Sequence, residues 1–151
     1  MTISFLGHRS LYTSENLFNE VENAIMKNAK FDEGVTFLLG GYGDFDDLCA
    51  RVCREIKKCQ KNCEIVFVTP YMTISQQEKM KEWVKLGLYD SVLYPPLEHV
   101  PLKFAIGKRN RWMIDQSDYV VLYVEHSYGG AYQGLSYARK KGKHLLNLGG
   151  V

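Results

Sequence analysis

The segment His126-Ser127-Tyr128-Gly129-Gly130-Ala131-Tyr132-Gln133-Gly134-Leu135-Ser136-Tyr137-Ala138-Arg139-Lys140-Lys141-Gly142 follows the apolar run Tyr119–Val124, and its reading decides the fold. The run reads as a buried strand. The segment after it reads as an amphipathic helix over Ala131–Lys141, with cations in its last turn and a stop at Gly142. A strand, a glycine pair and a helix put free backbone N–H groups at the positive end of a helix dipole, where an anion such as phosphate is favoured. Glycine has no Cβ, so a ligand can approach the backbone closely and positive φ is tolerated. A Gly-Gly pair also serves as a plain tight turn, so its meaning depends on what the rest of the chain brings beside it.

Outward from that segment, apolar strand candidates alternate with amphipathic helix candidates. Strands are predicted over Ile3–Leu6, Thr36–Leu39, Ile65–Val68, Ser91–Leu93, Tyr119–Val124 and His144–Leu148. Helices are predicted over Glu15–Ala29, with Ser14 as N-cap and Leu17, Val21, Ala24, Ile25 and Met26 inward, and over Phe45–Lys61, capped by Asp44 or Asp46. Further helices follow over Ser75–Leu86, with Met80, Trp83 and Val84 on one side, and over Leu102–Gln116. Short apolar strands separated by helices predict one α/β domain over residues 1–151. Its plan is Rossmann-like and doubly wound, with a mostly parallel sheet flanked by helices. Ligands of such sheets bind beyond the carboxyl ends of the strands. Those ends are Gly7-His8-Arg9, Gly40-Gly41-Tyr42-Gly43, Thr69-Pro70-Tyr71, Pro95-Pro96 and Glu125–Gly130, and all five carry glycine or proline.

The 46% hydrophobic and 24% charged composition is that of an ordinary globular protein, and a net charge of +2 gives no broad polyanion surface. No stretch reaches the roughly 20 apolar residues of a membrane helix. No signal-peptide pattern precedes Ile3, so a cytoplasmic location is expected. An aromatic content of 13% leaves open both a homodimer or higher homo-oligomer and ordinary core packing. Cys49 and Cys53 are four apart, as are Cys59 and Cys63, which approaches zinc-ligand spacing. Cys49, Val52, Cys53 and Ile56 also recur at helical spacing, and an apolar stripe is the preferred reading. No metal site and no resident cofactor are expected.

Three constellations carry chemistry. In Gly7-His8-Arg9, Gly7 lets the chain turn, His8 can donate or accept near neutral pH, and Arg9 offers a planar fork for phosphate or carboxylate. Gly40-Gly41-Tyr42-Gly43-Asp44-Phe45-Asp46 predicts a backbone nest that converges on an anion. It lacks the Gly-Lys-Ser/Thr of a Walker loop and the spacing of the dinucleotide fingerprint. Asp46 either caps the following helix or meets a ribose hydroxyl. Lys108–Asp118 presents three cations within one turn. Arg109 and Asn110 are candidates for the pocket, while Arg111 and Asp115 are spaced for an exposed ion pair.

Phe5-Leu6-Gly7-His8-Arg9, Gly40–Asp46, Arg109–Asp118, Gly129-Gly130-Ala131 and Tyr137–Lys143, in that order over nearly the whole chain, resemble the SLOG superfamily, and more narrowly its YpsA-like branch. The resemblance implies a Rossmann-like fold. The superfamily includes the cytokinin-activating LOG phosphoribohydrolases, the DNA-processing protein DprA, and sensing domains of bacterial defence systems that bind NAD-derived nucleotides. A nucleotide-like ligand at the glycine-rich strand ends, and a homodimer or higher homo-oligomer, are what the resemblance implies. The LOG motif Pro-Gly-Gly-x-Gly-Thr-x-x-Glu is not kept. With Gly129-Gly130 aligned, Tyr128 stands at the proline, Tyr132 at the glycine, Gln133 at the threonine and Ser136 at the glutamate. A serine supplies no carboxylate to stabilise an oxocarbenium-like centre.

The leading expectation is a module that senses or sequesters a nucleotide-derived small molecule related to NAD or ADP-ribose. The base would stack on Tyr42, Tyr71 or Tyr128. The phosphates would meet Ser127, Gly129, Gly130 and Ala131 together with Arg9 or Arg109. The alternative is a hydrolase of nucleotide N-glycosidic bonds, with Glu125 or Asp118 in place of the missing glutamate. The third reading is a single-stranded DNA or protein-interaction module, and the near-neutral charge argues against nucleic acid.

Overall fold

The computed structural model describes residues 1–151. Six strands, β1 (Thr2–Gly7), β2 (Val35–Leu39), β3 (Cys63–Val68), β4 (Ser91–Leu93), β5 (Tyr119–Tyr123) and β6 (His144–Asn147), form one sheet in the order β4-β3-β2-β1-β5-β6. Every neighbouring pair is parallel. Five helices connect them: α1 (Glu15–Asn28), α2 (Asp44–Cys59), α3 (Ile74–Lys85), α4 (Leu102–Gln116) and α5 (Gly129–Lys140). No helix is long and apolar enough to cross a membrane.

The central strands β1, β2, β3 and β5 are buried on both faces, which is why they read as largely apolar runs rather than alternating ones. Ile3, Phe5, Phe37, Leu39, Ile65 and Phe67 point to one side and pack with Val21 and Ile25 of α1 and with Phe45, Leu48 and Val52 of α2. Leu6, Val120 and Leu122 point to the other and pack with Ile114 of α4 and Leu135 and Ala138 of α5, while Leu38, Val66 and Val68 pack with Met113. Ser4 is a polar residue inside this apolar setting, and its hydroxyl is satisfied by Ser117 at 2.8 Å.

Capping fixes where the helices begin. Ser14 Oγ accepts the Leu17 N–H at 3.0 Å, as its position predicts, and Thr73 Oγ1 accepts from Gln76 at the start of α3. Neither Asp44 nor Asp46 caps α2. Gly43 holds that position at φ 126°, where a Cβ would stand 2.5 Å from the Arg9 Cα. Helix α5 starts at Gly129, two residues before the predicted start, because Gly129 and Gly130 are themselves its first turn. Met26 and Val84 are 44% and 37% exposed and lie at the margins of their helices rather than inward. Cys49, Cys53 and Cys63 belong to the core and Cys59 is exposed, which is the apolar-stripe arrangement for the first two. Asp115 accepts from the Tyr137 hydroxyl at 2.8 Å, and Arg111 lies over the Tyr137 ring, so the expected Arg111–Asp115 ion pair does not form.

Candidate functional site

The strand order reverses between β1 and β5. From β1 the chain winds outward through β2, β3 and β4, and from β5 it winds the other way to β6. Connections leaving adjacent strand ends in opposite directions open a crevice at their carboxyl ends. A cleft of about 330 Å³ lies there. His8 and Arg9 after β1, Tyr42 and Asp46 after β2, Arg109 and Asn110 of α4, and Gly130 and Ala131 of α5 line it.

Arg109 forms the floor. It is 2% exposed, and Nη1 donates to the carbonyls of Val68 at 2.7 Å and Gly40 at 3.1 Å while Nε donates to Asn110 Oδ1 at 3.0 Å. Those bonds tie α4 to the ends of β2 and β3 and leave Nη2 without a protein partner. Burial pulls the Arg109 pKa down, and the nearby Asp46 opposes that. Asp46 is the complementary buried charge. Its Oδ2 accepts the Tyr42 N–H at 2.9 Å, and its Oδ1 is the one buried side-chain polar atom of the protein with no hydrogen-bond partner. Burial pushes the Asp46 pKa up to about 6, outweighing Arg109 and the Tyr42 amide. No Arg109–Asp46 ion pair forms, since the protein's ion pairs are Lys57–Asp90 and Lys58–Glu55. The two charges are therefore not spent on each other, although Asp46 Oδ1 itself is sealed beneath the cleft surface.

The glycines after β2 serve this arrangement in an unexpected way. A Cβ on Gly40 would stand 2.9 Å from the Arg109 guanidinium carbon, and one on Gly41 would meet the Phe67 ring at 2.1 Å. Of the predicted nest, the Tyr42 amide donates to the chain's own Asp46. Gly7 is likewise a packing glycine as well as a cleft residue, with Phe45 where its Cβ would be.

The opposite wall is the first turn of α5. The amides of Gly129, Gly130 and Ala131 donate to no protein group, Gly129 has φ 89°, and nothing would meet a Cβ at either glycine. The loop leading into that turn is held by rings. His8 stacks on His126 with centroids 3.8 Å apart, and His126 stacks on Tyr128 at 3.9 Å. His8 Nε2 accepts the Glu125 N–H at 3.0 Å, which requires that nitrogen to be unprotonated. Burial, then His126, lowers the His8 pKa, with Glu125 opposing.

Several predicted residues lie outside the cleft lining. Ser127 and Tyr128 are exposed beyond its mouth, and Tyr71 meets the edge of Tyr42 at 6.5 Å. Glu125 is exposed and lines a separate cavity with Glu20 and Tyr123. Asp118 is at the wrong end of the sheet. It bonds to Thr2 through both its amide and its carboxylate, at the amino end of β1, so it cannot meet a ligand at Gly7 or Gly130. Ser136 is exposed on α5 and outside the cleft lining. Leu6 and Ile106 line the cleft and were not predicted to, because their apolar character reads only as core. The His126 stack was also not predicted, since nothing in the sequence pairs it with His8.

Along α4 the cleft runs into a second groove of about 610 Å³, whose walls include Lys103, Phe104, Lys108 and Arg111 and no acidic residue.

No family model and no curated protein matches the chain. Solved structures share its architecture. DNA processing protein A from Streptococcus pneumoniae superposes with a TM-score of 0.64 at 14% identity, over 97% of this chain and 49% of that one. The same protein from Helicobacter pylori, described for its single-stranded DNA binding mode, gives 0.64 at 15% identity over 97% and 64%. The Moco carrier protein of Chlamydomonas rheinhardtii gives 0.53 at 17% identity over 98% and 75%. The chain thus spans about half of the pneumococcal protein and under two thirds of the Helicobacter one. At these identities the likeness establishes the fold alone, the Rossmann-like parallel α/β sheet that the strand and helix pattern predicted.

Proposed function

We propose that the cleft binds a nucleotide-derived small molecule of the NAD or ADP-ribose kind, as a sensing or sequestering module. The observation that carries this reading is the meeting, in one cleft, of free helix amides, an unshared guanidinium nitrogen and an unsatisfied buried carboxylate oxygen. A phosphate takes the Gly130 and Ala131 amides at the positive end of α5, with Arg9 free at the mouth to close over it. Asp46 accepts a ribose hydroxyl once its side chain turns to bring Oδ1, sealed as it stands, to the cleft; a carboxylate takes that group in many dinucleotide sites. Tyr42 offers an aromatic face in the same cleft. The volume suits a ligand of nucleotide size.

Thermal denaturation with AMP, ADP-ribose, NAD and adenosine tests the proposal. Free ligand at about a hundred times Kd stabilises by about 2.7 kcal/mol, a rise of roughly 5–10 °C in Tm for a chain of this size. A phosphorylated ligand should give that shift and adenosine should not. No shift with any of them overturns the reading.

A second reading, single-stranded nucleic acid, is favoured by the groove bearing Lys103, Lys108 and Arg111 and by the DNA-binding relative from Helicobacter. The net charge of +2 spoke against nucleic acid, but the cations are not spread evenly and Phe104 stands among them, 53% exposed. Binding of an oligothymidylate with a log–log salt slope near about −2, as expected for three phosphate contacts, establishes this reading; salt-independent binding of mononucleotides alone rejects it.

A further inference from the structure

On the α2 side of the sheet, Phe67, Trp83 and Tyr89 pack as a triad, with centroids 5.1 Å apart for Phe67–Trp83 and 5.2 Å for Phe67–Tyr89. The triad walls a cavity of about 260 Å³ that shares no residue with the cleft described above. Three features distinguish it from a packing gap. Tyr89 is 8% exposed, yet its hydroxyl has no protein partner and is not sealed from solvent, so it opens into the cavity. Arg51 makes no ion pair, although Asp47 stands one helical turn away on the same wall. Arg54 donates Nη1 to the Leu88 carbonyl at 3.3 Å, which holds its guanidinium at the cavity and leaves its other nitrogens free.

We propose that this cavity is a second small-molecule site, for an organic monocarboxylate with an apolar or aromatic body. The rim carries two guanidinium groups and one carboxylate, a surplus of one positive charge that selects a monoanion over a cation. The carboxylate head meets Arg51 and Arg54, the body lies against Phe67 and Trp83, and the Tyr89 hydroxyl donates to an oxygen of the ligand. Burial, reinforced by Asp46 and Asp47, pushes the Tyr89 pKa up to about 12, so the phenol keeps its proton for that bond. The site does not depend on the nucleotide reading.

Trp83 reports on it directly. Trp83 and Trp112 are the protein's two tryptophans, so Trp112→Phe leaves one emitter at the cavity wall. This variant is titrated with 3-phenylpropionate, 2-phenylethylamine and benzyl alcohol. The expected result is a saturable change in emission with 3-phenylpropionate alone, weakened about fivefold or more by Arg51→Ala. Arg51→Glu, a change at an exposed position, should turn the preference toward 2-phenylethylamine. The proposal is overturned if no saturable change occurs with 3-phenylpropionate up to about 20 mM, if the amine binds as well as the acid, or if Arg51→Ala and Arg51→Glu leave the order of affinities unchanged.

Discussion

Asp46→Asn should make the protein more stable at neutral pH while weakening its ligand. Asp46 is buried, and its carboxyl pKa rises from 3.8 to about 6 on folding. A raised folded-state pKa means that the native protein holds the proton more tightly than the unfolded chain. The stabilising contribution is therefore complete below 3.8 and is lost as pH climbs through about 6. The rise corresponds to about 3 kcal/mol, which is what ionised Asp46 costs above pH 7 relative to a neutral side chain in its place. Asparagine is that neutral side chain. Its carbonyl can keep the bond from the Tyr42 N–H, and its amide nitrogen occupies the place of the unsatisfied Oδ1. Urea unfolding of both proteins should show Asp46→Asn more stable by about 2–3 kcal/mol at pH 7.5 and nearly equal at pH 4. Working on the difference between the two proteins cancels every other titrating carboxylate. The ligand loses a charged acceptor, and its affinity should drop about tenfold. A stability gap that is the same at both pH values, or an asparagine variant less stable at pH 7.5, refutes the reasoning.

Three further outcomes follow from the same geometry. Gly40→Ala places a methyl 2.9 Å from the Arg109 guanidinium, so it should cost about 1–3 kcal/mol in denaturant unfolding and also lower ligand affinity, whereas an exposed control such as Gly142→Asn should do neither. Ser14→Ala removes the bond to the Leu17 N–H and should cost about 1 kcal/mol with ligand affinity unchanged, which calorimetry with and without ligand checks. His8 has its pKa lowered below 6.5, so its contribution to stability is present above that value and is lost as pH falls through the folded value. Nitrogen-detected NMR should find Nε2 unprotonated at pH 7 and a His8 titration midpoint below that of the unfolded chain; a midpoint above 6.5 would break the link between His8 and the Glu125 amide.

How much of this was legible in the chain differs between fold and site for a physical reason. Strands covered on both faces need mostly apolar residues, so the buried stretches of β1, β2, β3 and β5 are marked, while exposed Glu64 hides the start of β3. Boundaries are less visible where the cap is backbone geometry rather than a side chain: Ser14 announces α1, while Gly43 and Tyr128 announce nothing and the starts of α2 and α5 shift accordingly. Because the strands are parallel, all their carboxyl ends share one rim, and that rule alone collects Gly7, His8, Arg9, Tyr42, Asp46 and Gly130. The same rule rejects Asp118. It precedes the strand that Glu125 follows, so the length of β5, about 17 Å, separates the two. The internal wiring of the cleft was out of reach. Arg109 contacts carbonyls 69 and 41 residues away, and which carbonyls those are depends on how α4 crosses back over the sheet. Sequence spacing carries no record of that crossing. The Gly40-Gly41 pair shows the consequence: read locally, it promises room for a ligand, but the folded chain puts Arg109 against one glycine and Phe67 against the other. Glycines that make way for protein and glycines that make way for ligand look the same in a sequence. The test that separates them is whether anything fills the space of the missing Cβ, and of the glycines at the carboxyl ends of β1, β2 and β5 only Gly129 and Gly130 pass as open.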